Sequence, residues 1–143
     1  MSNIQIQYIE NPESQLTDFL WNSLRQYSLS RIENKDLHQR IIFCFLARDE
    51  DKIIGGTLGM LYFKSVYIQL LWVDENYRGH DLGTRLLEKA NDLGKENGCT
   101  VLHLDTFSFQ APEFYTKLGM DLIGTIDEYE EGIRRFFFKK KIK

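Results

Sequence analysis

Apolar and polar positions in this chain follow two rhythms in turn. Ile4, Ile6, Tyr8 and Ile9 read as a short strand, and the break at Asn11-Pro12-Glu13 opens a helix with Pro12 in its first turn, where a missing N–H costs nothing. Leu16, Phe19, Leu20, Leu24 and Tyr27 follow at helical intervals, so one face of that helix should be buried. The polar stretch 30–39 has no period and reads as a loop or a second short helix, free to vary as a substrate-facing segment. Two apolar runs, 41–47 and 53–63, flank the charged residues 48–52 as a hairpin. The run 67–73, Tyr-Ile-Gln-Leu-Leu-Trp-Val, is almost continuously apolar, as in a strand covered on both faces.

Beyond it Leu82, Leu86, Ala90 and Leu93 mark an amphipathic helix that Gly98 ends, and residues 101–104 form another strand. Strand, helix and strand within about forty residues is the length of a right-handed crossover, which makes the two strands parallel neighbours. A short helix over 110–118 closes on Gly119 as a C-terminal cap. Residues 122–124 and 133–138 finish as an antiparallel pair, with Lys139 to Lys143 as a solvated end. There are no internal repeats or low-complexity linkers, and the pattern is that of an α/β chain.

Length and composition narrow the class. The 143 residues fit one domain, 1–143, and 43% apolar residues with two prolines describe a packed globule. A net charge of -3 gives no support to a nucleic-acid surface. Cys44 and Cys99 belong to no CxxC and meet no matched histidine pair, so no metal is expected. The start has neither a basic leader nor an apolar run, and no stretch approaches the roughly 20 apolar residues of a membrane span. A cytoplasmic protein is expected, without a membrane or nucleic-acid partner.

The chemistry gathers where the apolar strand meets the helix, at Val73-Asp74-Glu75-Asn76-Tyr77-Arg78-Gly79-His80-Asp81-Leu82-Gly83-Thr84. The first N–H groups of a helix lack partners and the macrodipole puts partial positive charge there, so such a junction can hold a diphosphate, and glycine lets the main chain come close. Neither a GxxxxGK[ST] loop nor GxGxxG is present. A glycine at such a junction can equally serve only close packing.

A second segment, Ser108-Phe109-Gln110-Ala111-Pro112-Glu113-Phe114-Tyr115-Thr116-Lys117-Leu118-Gly119-Met120, stands at the distance that gives the pair a meaning. Together, from about Tyr67 to Gly124, the two halves resemble the GNAT acetyltransferase superfamily. Its signature is an apolar strand ending in Val, an Arg or Gln before a glycine loop, and later an Ala, a Phe-Tyr pair and Lys-x-Gly. The resemblance implies a mixed, strongly twisted central sheet of six to seven strands with helices on both faces. It also implies acetyl-CoA as co-substrate, an amine acceptor of small-molecule or peptide type, direct attack in a ternary complex, and no metal.

Residue by residue, it places Leu71, Trp72 and Val73 where strand backbone pairs with the pantetheine arm. Arg78, Gly79, His80, Asp81, Leu82, Gly83 and Thr84 fall on the diphosphate loop. Tyr115 falls on the residue that hydrogen-bonds the CoA sulfur and can protonate the departing thiolate. An amine at neutral pH must lose a proton before it attacks, and His103, in the strand position where peptide-amine-acetylating relatives place a glutamate, is the candidate acceptor; Asp105, on the same side, can orient or replace it. Tyr67 stands where histone-type members carry a glutamate.

Two departures bear on the donor. Asp81 stands where the signature has its first glycine, and its carboxylate either caps the helix N–H groups or turns outward. Ser108 replaces an Asn that in many members contacts CoA. These departures keep open a non-catalytic reading, a CoA-binding sensor or interaction module. A homodimer through Phe136-Phe137-Phe138 is possible, although a terminal strand with alternate faces buried explains the same residues.

Overall fold

The computed structural model describes residues 3–143 and divides into two compact units, one reaching to His38 and one spanning Gln39–Lys143. In the first, α1 (Ser14–Leu29) begins after an extended Glu13, so Pro12 lies just ahead of the helix and not in its first turn. The expected opening strand is not formed: Ile4, Ile6 and Tyr8 are 75%, 100% and 81% exposed, and no strand supplies a ladder for them. Within this unit none of the α1 residues is buried, including the apolar ones at helical spacing. Phe19, Leu20 and Trp21 are consecutive and so fan across about 200° of the helix. Among the described residues of this unit the other regular element is the 3₁₀ turn Lys35–His38.

The second unit is one mixed six-stranded sheet of order β1-β2-β3-β4-β6-β5, made of β1 (Ile41–Asp49), β2 (Lys52–Tyr62), β3 (Ser65–Val73), β4 (Val101–Phe107), β5 (Asp121–Ile126) and β6 (Arg135–Lys141). Two tight hairpins build β1-β2-β3. At the second, Phe63 and Lys64 both take positive φ (53° and 54°), the paired left-handed conformation that matches strand twist. Helix α2 (Leu82–Glu96) carries the chain over to β4, which lies parallel to β3 as the crossover length requires. The last strand, β6, inserts between β4 and β5 and runs antiparallel to both. Lys139, Lys140 and Lys141 are therefore paired strand residues, opposite His103, Leu102 and Val101, while their side chains stay exposed, as a solvated end requires.

Alternation along the strands sends Val66, Ile68, Leu102, Leu104 and Phe138 to one core, where they meet Leu87 and Ala90 of α2 and Tyr115 of α3 (Glu113–Lys117). Gly94 lets α2 approach β3 closely, because a Cβ there would come within 2.3 Å of Val66 Cγ2. The helix expected over 110–118 divides: residues 108–110 form a 3₁₀ turn, Ala111 takes a left-handed conformation, and α3 follows. Coverage of β3 on both faces holds only for its first half, since Leu70 and Trp72 remain 49% and 48% exposed. Among the described residues no helix is long and apolar enough to cross a membrane.

Candidate functional site

The exposure of β3 follows from where its pairing stops. It pairs with β4 only from Ser65 opposite Val101 to Ile68 opposite Leu104, and beyond that point the two strands part. On the other side β3 stays paired with β2, but the register skips Gln69, which leaves a β-bulge between Ile68 and Leu70. A bulge bends its strand and adds twist, which turns residues 70–73 away from β4. Two β2 residues fix it. Thr57, 1% exposed, donates its hydroxyl to the Leu70 carbonyl at 2.9 Å. Gly59 admits the backbone, since a Cβ there would lie 2.3 Å from the Tyr67 oxygen and 2.6 Å from the Phe43 ring.

A cleft of about 630 Å³ fills the gap between the parted strands. One wall is the free edge of β3, with Leu71, Trp72 and Val73. At its end Asp74 accepts from the Asn76 N–H at 2.9 Å, starting the turn Glu75–Tyr77 that leads into the glycine loop. Tyr77 donates to Asp49 Oδ2 at 2.6 Å, which ties this turn to the β1–β2 hairpin. The Arg78 guanidinium folds back so that Nε donates to the Val73 carbonyl at 3.3 Å.

Gly79, with φ of 87°, and Asp81, with φ of 58°, make the sharp turn into α2. The Asp81 carboxylate makes no capping hydrogen bond, while its carbonyl accepts from the Arg85 N–H at 2.9 Å. The N–H groups of the first turn, on Leu82, Gly83 and Thr84, thus stay open to the cleft that these residues line. Asp81 occupies a left-handed position that suits glycine, which Asp tolerates better than most residues do.

Tyr115 lines the opposite wall. It is 8% exposed, with ring centroids 5.1 Å from Phe114 and 5.7 Å from Phe138. Burial pushes its phenol up to about 12, so the hydroxyl stays protonated throughout the physiological range. From β4 come Asp105 and Thr106, whose side chains alternate to opposite faces, so the gap is lined from both sides of the sheet. Gln110 holds the β4 end by accepting from the Phe107 N–H at 2.8 Å and the Thr106 hydroxyl at 3.4 Å.

Three expected site residues stand apart from the residues lining this cleft. His80 is one of them. Ser108 closes a reciprocal backbone clasp instead, its N–H donating to the Arg134 carbonyl at 2.8 Å and its hydroxyl accepting from the Arg134 N–H at 3.1 Å. His103 stacks on Tyr67, with centroids 5.2 Å apart and planes 24° apart. Burial lowers the His103 pKa, partly offset by the Asp105 charge. Asp105 itself is taken by Arg135, whose Nε and one terminal NH2 donate to the same Oδ1 at 2.9 and 2.6 Å. Sequence patterns point to neither this pair nor Thr57, Gly59 and Gln69, because each acts through a contact set by strand register.

Known proteins carry the same architecture. A crystal structure of an acetyltransferase from Bacillus cereus ATCC 14579 matches with a TM-score of 0.81 and 34% identity, covering 94% of this chain and 97% of that one. The Blasticidin-S acetyltransferase of Streptomyces morookaense is 34% identical over 95 residues, 66% of this chain and 70% of that protein. A Bacillus anthracis protein assigned as a streptothricin acetyltransferase, crystallised in complex with acetyl coenzyme A, shares the fold with a TM-score of 0.63 at 22% identity, over 70% of this chain and 62% of that one. The sequence model described as "Acetyltransferase (GNAT) family" matches residues 5–120, and the chain belongs to that family.

Proposed function

We propose that this protein transfers an acetyl group from acetyl-CoA to an amine by direct attack within a ternary complex. One observation carries the reading: β3 and β4 part after Ile68 and Leu104, and the gap joins a free strand edge, an uncapped helix N-terminus and the Tyr115 hydroxyl. A thioester with a pantetheine arm and a diphosphate fits that order. The amide arm pairs with the edge at Leu71, Trp72 and Val73, and the diphosphate lies on the loop from Arg78 through Thr84. The thioester then lies between the strands near Tyr115.

The amine nitrogen attacks the thioester carbon, the C–N bond forms, the C–S bond breaks and the thiolate leaves with the sulfur's electron pair. Burial pushes the Tyr115 phenol up to about 12, well above the range of a thiol, about 8.5, so full proton transfer to the thiolate is uphill. Tyr115 therefore acts by donating a hydrogen bond as charge builds on sulfur, and the proton that completes the thiol comes from solvent. His103 is not among the residues lining the cleft, and in this reading the ammonium proton leaves through water.

The test is to give purified protein acetyl-CoA and a panel of amines and to follow free thiol and the acetylated product. Thiol release that requires amine supports transfer. Binding of CoA with no thiol released across the panel would establish the non-catalytic CoA-binding reading in its place.

A further inference from the structure

The donor reading leaves one wall of the cleft unused, the β4 side at Asp105, where the chemistry is selective. Both Arg135 donors go to Oδ1 of Asp105, and the Tyr67 hydroxyl hydrogen-bonds the same carboxylate, so a carboxylate held from two sides faces the cleft. The same guanidinium lies over the Phe107 and Phe137 rings, at 5.5 and 5.2 Å, and its remaining terminal nitrogen stands 3.5 Å from the Tyr129 hydroxyl. Arg135 is thereby fixed behind the carboxylate and has little left to offer an anion. Phe109, stacked on Phe107 at 5.7 Å with planes 7° apart and 68% exposed, lines the same cleft as Asp105. The other charged residues of the lining, Arg78 and Asp81, sit at the loop end.

We propose that Asp105 anchors the acceptor, that Arg135 is its positioning residue, and that the acceptors are cationic amines with no carboxylate beside the reacting nitrogen. This rests on the acetyl-transfer reading and deepens it. A carboxylate and an aromatic face together favour a cation. An acceptor that brought its own carboxylate would meet Asp105, whose neighbouring cation, Arg135, is already committed to it.

Matched pairs test this: agmatine against arginine, tyramine against tyrosine, histamine against histidine, at saturating acetyl-CoA. The decarboxylated member of each pair should show a KM lower by at least about tenfold, the scale of one charge-assisted contact. Asp105→Asn should raise the KM for agmatine, erase the preference within pairs and leave the KM for acetyl-CoA unchanged. Arg135→Gln should reproduce that effect, Arg135→Lys should restore part of it, and Asp105→Asn with Arg135→Gln should be no worse than either alone, as expected of groups that act as a unit. Equal or inverted preference in the unaltered protein, or an unchanged agmatine KM in a folded Asp105→Asn protein, overturns the proposal. Calorimetric titration of the same pairs into CoA-loaded protein reads the anchor without turnover. A protein that binds agmatine over arginine yet releases no thiol fails the transfer reading and keeps this one.

Discussion

Asp81 shows how one side chain can sit against its setting without disabling it. Its left-handed backbone is where a glycine is cheapest, and its carboxylate leaves the helix N–H groups alone. What remains is charge at a helix N-terminus beside a diphosphate. Asp81→Asn and Asp81→Gly should therefore each tighten acetyl-CoA roughly two- to fivefold at low salt, the scale of a single charge at a helix end, and the gain should fade as salt rises. Calorimetry at two ionic strengths checks it, and a gain that ignores salt would mean the side chain blocks the site sterically. Tyr115 makes a different claim. Its pKa near 12 keeps the phenol neutral below pH 10, so Tyr115→Phe should lower kcat by about 10- to 100-fold without moving either limb of the pH–rate profile. A loss confined to high pH would show that the phenol ionises in turnover. At His103 the sign is opposite: burial lowers its pKa, so the unfolded chain takes up the proton first and the folded state loses stability as pH falls below 6.5.

At the scale of elements, whatever repeats locally is readable in the sequence and whatever depends on register is not. The α2 stripe and the hairpin alternation are periodic, so Leu86, Ala90 and the runs over 41–47 and 53–63 announce their elements. The bulge at Gln69 leaves only one polar residue in an apolar run, and nothing local separates that from an ordinary edge position. Asp105 and Arg135 are 30 residues apart, and they meet because β6 inserts beside β4, an ordering that strand patterns do not specify. The bulge can be tested through Gly59. A methyl there would collide with the Tyr67 carbonyl and the Phe43 ring, so Gly59→Ala should cost roughly 1–3 kcal/mol in urea unfolding. Acetyl-CoA affinity should fall with it, because the same contact aims the β3 edge. A destabilised protein that binds the donor with unchanged affinity would show that the cleft does not depend on the bulge.

On the scale of the molecule, the sheet of the second unit is two three-stranded halves, β1-β2-β3 and β4-β6-β5, that meet along a parallel seam of only four residue pairs. A short parallel seam is a weak joint, reinforced by α2 on the shared core. A donor seated in the gap would contact both halves at once, at the β3 edge and at Tyr115, and so bind the folded arrangement far better than the unfolded chain. At one hundred times its Kd such a ligand adds about 2.7 kcal/mol, which for a chain of this size raises Tm by roughly 5–10 °C. Acetyl-CoA should produce that shift. Acetyl-pantetheine at the same concentration should not, because it lacks the diphosphate that the loop from Gly79 to Thr84 would hold, while still reaching the strand edge. Equal shifts from the two would place the binding energy on β3 alone and remove the helix N-terminus from the donor site. A shift from neither would leave the parted strands without a thioester to explain them.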